Sequence, residues 1–161
     1  MTEQGYSTDT VGVVGLGYVG LPLALALVDV GYSVVGVDID QDRVDHLNAG
    51  ESYIRDVDDK EVIDANTSGL WTTVEYDELA EVDAVSICVP TPLSKTGKPN
   101  VSYVEDSSSK LAAVLSEGCT VILESTVYPG ATEEIVKKQF TQNGWSVGED
   151  VFVAFSPERI D

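Results

Sequence analysis

The chain has 161 residues, of which 43% are hydrophobic and 23% are charged, with 14 glycines and 6 prolines. This length suffices for one domain with a substantial core, and the composition excludes collagen-like, disordered and disulfide-scaffold chains. The 9 Lys and Arg residues against 28 Asp and Glu residues give a net charge of −19. Because so acidic a surface repels phosphate backbones and anionic lipids, nucleic acids and membranes are disfavoured as partners.

Targeting signals are not evident in the sequence. No stretch approaches the roughly 20 apolar residues that a membrane span needs. Residues 1–10 have neither the basic nor the apolar region of a secretory signal, so we expect a cytoplasmic protein. The scattered acids either serve solubility alone or adapt the protein to high salt, where screening removes self-repulsion. The small number of basic residues favours the second interpretation.

Short apolar runs alternate with longer helical patterns along the whole chain, which predicts parallel β-α-β units. Continuous apolar strands indicate a sheet with helices on both faces. We therefore treat residues 1–161 as one α/β domain, a doubly wound parallel sheet (Rossmann fold, three-layer α/β/α) of strand order 3-2-1-4-5-6. In chain order the predicted elements are strand 10–14, helix 18–30, strand 33–37, helix 41–48, helix 58–65, strand 70–74, strand 83–89, loop 90–99, helix 103–115, strand 120–124, helix 132–142 and strand 151–155.

A Gly-x-Gly-x-x-Gly pattern closes the first predicted strand and opens the first predicted helix. In that context it indicates dinucleotide binding. Gly15 permits the tight turn, Gly17 leaves room for a diphosphate, and Gly20 allows close helix–strand packing. The backbone of Tyr18 and Val19 lies at the helix start, where free N–H groups face an anion. The alternative is a glycine-rich turn that serves packing alone.

Asp38 ends the second predicted strand, 18 residues after Gly20. An acidic residue there accepts hydrogen bonds from the hydroxyls of an adenosine ribose and repels a 2′-phosphate. Because no arginine follows before Arg43, NAD is favoured over NADP. Asp40 suits a helix N-cap better than a ligand contact. The alternative for Asp38 is an ordinary surface carboxylate.

Two further loops follow strands that lie beside the first strand, and both border the same crevice in the predicted sheet. In the loop after strand 83–89, Pro90 fixes the backbone and Thr91 offers a hydroxyl. A rigid loop and a cofactor contact are equally compatible with it. In the loop after strand 120–124, hydroxyl side chains that include Thr126 either reach the nicotinamide end or cap the next helix.

The two cysteines, Cys88 and Cys119, lie in apolar runs and are interpreted as buried reduced thiols in strands. We predict no metal site, because the spacing is unsuitable and His46 is the single histidine. A catalytic role is disfavoured, since neither cysteine has a base or cation beside it in the sequence.

Together these motifs resemble the N-terminal NAD-binding domain of the UDP-glucose/GDP-mannose dehydrogenase family, from Val11 to the end of the chain. The Ser-Pro-Glu-Arg ending resembles the branch that oxidises UDP-N-acetylhexosamines, especially UDP-N-acetylmannosamine, whereas the UDP-glucose branch usually has Pro-Glu-Phe. The resemblance rests on Gly15-Leu16-Gly17-Tyr18-Val19-Gly20-Leu21-Pro22, Val37-Asp38, Val89-Pro90-Thr91-Pro92, Glu124-Ser125-Thr126-Val127-Tyr128-Pro129-Gly130 and Ser156-Pro157-Glu158-Arg159.

The resemblance implies that a nucleotide-sugar C6 alcohol is oxidised to a carboxylate with two NAD⁺ and water, through a thiohemiacetal and a thioester on a cysteine of a second domain. It implies that Asp38 holds the ribose and that Pro90 and Thr91 contact the cofactor. Thr126 would lie near the nicotinamide and position a catalytic water. Glu158 would lie beside the sugar in acid–base or water-activating work. The glycine turn of residues 15–20 would hold the diphosphate.

Parts of the family pattern are missing from the chain. Tyr53-Ile54-Arg55-Asp56 stands where relatives often have Glu-Pro, and Asn100 replaces a frequent Asp. The catalytic cysteine, the central dimerising helix and the UDP-binding domain are not present, and neither Cys88 nor Cys119 matches the catalytic position. We therefore expect a cofactor domain that binds NAD weakly, is inactive alone and belongs to a homodimer acting on a UDP-sugar.

Four alternatives remain open at this point. The protein could oxidise UDP-glucose or GDP-mannose, or it could belong to another 6-phosphogluconate or hydroxyacid dehydrogenase-like group, which would lack Pro90-Thr91-Pro92. A non-catalytic NAD(H)-sensing module is a third alternative. A methyltransferase is the weakest, since it has no use for the glycine at Gly20.

Overall fold

The computed structural model of the protein describes residues 9–157. Six parallel strands form one sheet in the order β3-β2-β1-β4-β5-β6, which confirms the predicted doubly wound topology. The strands are β1 (Thr10–Val14), β2 (Ser33–Val37), β3 (Leu70–Thr73), β4 (Ala84–Ile87), β5 (Thr120–Leu123) and β6 (Phe152–Phe155). The helices are α1 (Gly20–Asp29), α2 (Gln41–Asn48), α3 (Asp59–Ser68), α4 (Ser102–Val114) and α5 (Lys138–Gln142), with a 3₁₀ turn at Tyr76–Leu79 and a π-helical turn at Thr132–Lys137.

The strand β1 contributes to two separate apolar cores because successive side chains of a strand point to opposite faces. Val13 packs with Leu21 of α1 and Val62 of α3 on one face. Val14 packs with Leu111 of α4 and Phe140 of α5 on the other. Burial of each such side chain stabilises the fold by about 2 kcal/mol relative to its exposed state. The sheet is therefore covered on both faces, as the continuous apolar strands predict.

The helix α1 begins where the glycine turn ends, and it packs through residues at helical spacing. Leu21, Ala24 and Val28 are buried at positions i, i+3 and i+7, which is the spacing of one helix face. Leu25, predicted on the same face, is only half-buried at its edge. The buried face fixes the N-terminus of α1 at the carboxyl end of β1.

Apart from shifts of one to three residues at the ends of other elements, the structure differs from the sequence-based prediction in two elements and in the burial of the predicted last strand. The predicted helix 132–142 is divided into a π-helical turn and α5, and the 3₁₀ turn Tyr76–Leu79, which buries Leu79, was not predicted. The strand β6 is largely exposed, with Phe152 and Phe155 at 45% and 47%. The reason is that β6 is an edge strand, so its hydrophobic residues are not covered on both faces within residues 9–157.

Both cysteines are buried, although they lie beside strands rather than in them: Cys88 follows β4 and Cys119 precedes β5. Burial raises the pKa of the Cys119 thiol to about 11, and the charge of Asp83 raises it further. This thiol is therefore protonated at neutral pH, which favours a packing role. Within residues 9–157, no helix has the length and apolar character that would let it cross a bilayer.

Candidate functional site

A cavity of about 780 Å³ opens at the carboxyl ends of β1, β2, β4 and β5. This is the edge of a doubly wound sheet where the strand order reverses and where ligands bind in such folds. We call this cavity the crevice. The sequence-predicted residues that line it are Gly15, Gly17, Tyr18, Val19, Asp38, Pro90, Thr91 and Thr126.

Two predicted residues are not among those that line the crevice. Gly20 is buried behind the turn, where it packs against Gly15. Glu158 lies outside the described residues 9–157.

The three glycines of the turn have different reasons to be glycine. Gly15 has φ +90°, and a Cβ there would approach the Cys88 carbonyl oxygen to 2.8 Å. A Cβ at Gly20 would lie 1.6 Å from the carbonyl oxygen of Gly15. A Cβ at Gly17 would meet its nearest protein atom, Arg43 Nη1, only at 3.8 Å. Protein packing explains the first and third glycines, whereas the second leaves open the space that a bound diphosphate would fill.

The N-terminus of α1 is open to an anion. Its N-cap residue, Val19, provides no side-chain hydrogen bond, and the first turn contains no acidic residue. By contrast, α2, α3 and α4 each have an acidic residue in the first turn. The Leu21 N–H donates to Gly17 O at 3.1 Å, and the N–H groups before Leu21 have no intrahelical acceptor. The positive end of the helix dipole therefore faces the crevice uncompensated.

The Asp38 carboxylate forms the wall of the crevice at the end of β2 and is only 5% exposed. Its Oδ2 accepts from the Leu16 N–H at 2.8 Å, and its Oδ1 accepts from the Asp40 N–H at 2.9 Å. Each carboxylate oxygen can accept two hydrogen bonds, so Oδ1 can still accept one from a ligand hydroxyl. Asp40 is the N-cap of α2, as predicted, because its side chain accepts from the Asp42 N–H.

Two residues outside the predicted set hold this wall in place. Arg43 Nη1 lies 3.3 Å from Asp38 Oδ2, and its guanidinium lies 5.5 Å from the centroid of the Tyr53 ring. The Tyr53 hydroxyl donates to the Leu16 carbonyl at 2.6 Å. Burial raises the pKa of Tyr53, and the nearby Asp38 carboxylate raises it further, so this hydroxyl keeps its proton. The Tyr53 contact has no sequence signal, since Tyr53 lies 37 residues after Leu16.

The loops that follow β4 and β5 are joined to each other. The Thr91 hydroxyl donates to the Thr126 carbonyl at 2.6 Å, and the Ser125 hydroxyl donates to the Val89 carbonyl at 2.7 Å. The Thr91 hydroxyl therefore helps to hold the two loops together. Its oxygen can still accept a hydrogen bond from a ligand in the crevice. The Thr126 side chain is exposed at the same edge.

At the end of the crevice beyond Asp38, the 3₁₀ turn meets the start of α4. The Tyr76 hydroxyl donates to Ser107 Oγ at 3.2 Å, and the Lys110 ammonium lies 5.2 Å from the centroid of the Tyr76 ring. Lys110 also pairs with Asp106 at 2.7 Å. Burial raises the pKa of Tyr76. Three residues of α4 line the crevice, namely Tyr103, Asp106 and Ser107. Their spacing of i, i+3 and i+4 is typical of one helix face, so the sequence could have indicated that this face of α4 borders the crevice.

The family of the chain is shown by its match to known proteins. Residues 9–161 match the family model described as UDP-glucose/GDP-mannose dehydrogenase family, NAD binding domain. The chain belongs to this family. Within residues 9–157, no group of three or more His, Cys, Asp and Glu side chains is arranged to hold a metal ion.

Similar proteins include the UDP-N-acetyl-D-mannosamine dehydrogenase of Escherichia coli (strain K12), 38% identical over 161 residues, covering 94% of this chain and 37% of the relative. The UDP-N-acetyl-D-glucosamine 6-dehydrogenase of Pseudomonas aeruginosa is 42% identical over 156 residues, with 94% and 35% covered. The solved structure of UDP-D-ManNAc dehydrogenase from Pyrococcus horikoshii has a TM-score of 0.88 at 36% identity, with 94% and 37% covered. The chain thus spans little more than a third of the length of these relatives.

Proposed function

We propose that residues 1–161 are the NAD-binding domain of a nucleotide-sugar 6-dehydrogenase that oxidises the C6 alcohol of UDP-N-acetylmannosamine to the uronate. The observation that carries the proposal is the crevice, where the glycine turn, the Asp38 carboxylate and the loops after β4 and β5 line one cavity. The family match and the similarity to UDP-N-acetyl-D-mannosamine dehydrogenases support it.

Each part of the crevice suits one part of NAD. The N–H groups of Tyr18 and Val19, at the open end of α1, would bind the diphosphate, with Gly17 leaving space for it. Asp38 Oδ1 would accept a hydrogen bond from the adenosine ribose. Bound NAD⁺ supplies the acceptor for the hydride that leaves the C6 carbon of the sugar.

The other end of the crevice suits the nicotinamide. Pro90 and Thr91 would form a fixed wall beside the cofactor, because the Thr91 hydroxyl is held by the Thr126 carbonyl. The Thr126 side chain is free of that contact and would position a water near the nicotinamide. Glu158, which follows β6 in the sequence, would carry the acid–base step beside the sugar.

We also infer that the complete protein is a cytoplasmic homodimer that binds no nucleic acid. The net charge of −19 supports the exclusion of nucleic acid, since like charges repel at the distances that binding requires. The dimer and the cytoplasmic compartment rest on the family resemblance.

A second candidate substrate is UDP-N-acetylglucosamine, the epimer of the first. It is favoured by the 42% identity to a UDP-N-acetyl-D-glucosamine 6-dehydrogenase. The two candidates share the UDP-N-acetylhexosamine class and differ in one stereocentre.

An assay of the complete protein with NAD⁺ against a panel of UDP- and GDP-sugars tests the proposal. We expect NADH to form with UDP-N-acetylmannosamine, two NADH for each uronate released, and little to form with UDP-glucose or GDP-mannose. Oxidation of GDP-mannose or UDP-glucose in preference would contradict the substrate, and NAD binding without oxidation of any sugar would favour a sensing module.

A further inference from the structure

The crevice continues past Asp38 into a pocket that none of the proposed roles uses. Ile39 directly follows Asp38 and is 65% exposed. Tyr103, in the first turn of α4, and Tyr76 line the same crevice. If Asp38 holds the ribose of a dinucleotide, the base attached to that ribose has this pocket within reach.

The walls of this pocket suit a flat heterocycle. Ile39 and the Tyr103 ring offer apolar and aromatic surface, which favours stacking of a purine over contact with water. Tyr76 and Ser107 are fixed by their mutual hydrogen bond at 3.2 Å. Because Ser107 is only 3% exposed, this pair forms a rigid floor that has little freedom to adapt to a different base.

Asp106 differs from these groups because it presents a charged acceptor. It lines the crevice, and its Oδ2 pairs with the Lys110 ammonium at 2.7 Å. Lys110 is itself held over the Tyr76 ring at 5.2 Å. The Lys110 contact is made to Oδ2, and Oδ1 is the second acceptor of the carboxylate. An ionised carboxylate can only accept hydrogen bonds, so this oxygen suits an N–H donor and repels a carbonyl.

We propose that Asp106 selects adenine by accepting a hydrogen bond from its exocyclic 6-amino group, while the Lys110 pair holds the carboxylate in place. The proposal rests on the proposed NAD site, because the base reaches Asp106 only if Asp38 binds the neighbouring ribose. Hypoxanthine has a carbonyl at position 6 in place of the amine. Nicotinamide hypoxanthine dinucleotide differs from NAD⁺ in this carbonyl and in the hydrogen that N1 then carries, and the protein discriminates between the two at position 6.

Titration calorimetry of the complete protein with these two dinucleotides tests the proposal. We expect NAD⁺ to bind about tenfold more tightly than the hypoxanthine analogue, the size of one hydrogen bond to a charged group. In Asp106→Asn the ratio falls to about one, because an amide can accept from an amine or donate to a carbonyl. Asp106→Ser, whose hydroxyl has the same dual capacity, gives the same loss if the first variant folds poorly.

The matched control is Asp64→Asn. Asp64 pairs with Lys60 across one helical turn, as Asp106 pairs with Lys110, but it lies away from the crevice. This variant keeps the tenfold ratio of the wild-type protein. Equal binding of both dinucleotides by the wild-type protein, or an unchanged ratio in the Asp106 variants, would overturn the proposal and leave the NAD site intact. Binding of neither dinucleotide would overturn both.

Discussion

The Asp38 carboxylate is the residue on which recognition of the cofactor depends most. Asp38→Asn replaces one acceptor oxygen by an NH₂ group that faces a backbone N–H, either that of Leu16 or that of Asp40. The ribose contact and the local turn both weaken. We expect the free energy of NAD binding to become less favourable by about 1–2 kcal/mol, as measured by titration calorimetry.

The control for this change is Asp42→Asn, which removes the same charge from the exposed first turn of α2. It should bind NAD like the wild-type protein. If both variants lost the same affinity, the effect would come from net charge, and the specific role of Asp38 would be rejected.

Variants of Tyr53 test whether the contacts of Arg43 and Tyr53 that support Asp38 affect NAD binding. Tyr53→Phe keeps the ring beside the Arg43 guanidinium and loses the hydrogen bond to the Leu16 carbonyl. We expect this variant to lose about 1 kcal/mol of unfolding free energy with little change in NAD affinity. Tyr53→Leu loses the stacked ring as well and should bind NAD several-fold more weakly.

Chemical denaturation measures the unfolding free energy of both Tyr53 variants, and calorimetry measures their NAD affinity, so the effect on stability is separated from the effect on binding. Wild-type affinity in Tyr53→Leu would show that the position of Arg43 has no part in binding. A loss of affinity in Tyr53→Phe equal to that in Tyr53→Leu would assign the effect to the hydroxyl instead of the ring.

The residues found from sequence were those whose chemistry follows from local position. Gly17 and Asp38 lie at fixed distances within one β-α-β unit, so the pattern identified them. Tyr53 and Asp106 were not predicted, because the Tyr53 contact joins elements that are distant in sequence and the role of Asp106 depends on which face of α4 borders the crevice. The contact of Arg43 with Asp38 was not predicted although only five residues separate them. Glu158 stays a prediction, since it lies outside the described residues.

The turn from β1 to α1 is the element in which packing and binding can be separated by mutation. Gly20→Ala places a methyl group against the Gly15 carbonyl and should lower the unfolding free energy by about 3 kcal/mol. Gly17→Ala meets no protein atom closer than 3.8 Å. It should leave the thermal midpoint nearly unchanged and weaken NAD binding at least tenfold, because the methyl group occupies the diphosphate position.

Thermal unfolding and calorimetry of the two glycine variants provide a direct comparison. A Gly17→Ala protein with wild-type NAD affinity would show that the diphosphate does not approach this residue. Equal destabilisation by both changes would show that the turn is a packing element only, the alternative that the sequence left open.

Apolar runs predicted where the strands lie, but they did not predict how far each strand is buried. The strands β1 and β2 are apolar after their first residue because helices cover both of their faces, and their bounds were predicted correctly. The strand β6 has the same apolar character at an exposed edge, and periodicity does not distinguish these two situations. The division of residues 132–142 into a π-helical turn and α5 likewise depends on packing against the sheet and not on composition.

At the scale of the whole molecule, the net charge of −19 should make stability depend on salt. We propose that the acidic surface is an adaptation to high salt. The screening length falls from about 10 Å at 0.1 M to about 3 Å at 1 M salt, so repulsion between the scattered carboxylates should fall with it. The thermal midpoint should rise by several degrees between these KCl concentrations.

Calorimetric scans across a KCl series measure this dependence. Sucrose at matched osmolality is the control, because it changes water activity without screening charge. A protein that is most stable at low salt would contradict the adaptation and leave solubility as the explanation of its acidity.

The central claim is that one crevice holds the whole dinucleotide, and a crystal structure of the protein with NAD⁺ tests it most directly. We expect the diphosphate oxygens within hydrogen-bond distance of the Tyr18 and Val19 N–H groups, and a ribose hydroxyl within that distance of Asp38 Oδ1. A structure in which NAD⁺ binds elsewhere, or in which the diphosphate lies away from the start of α1, would contradict the account.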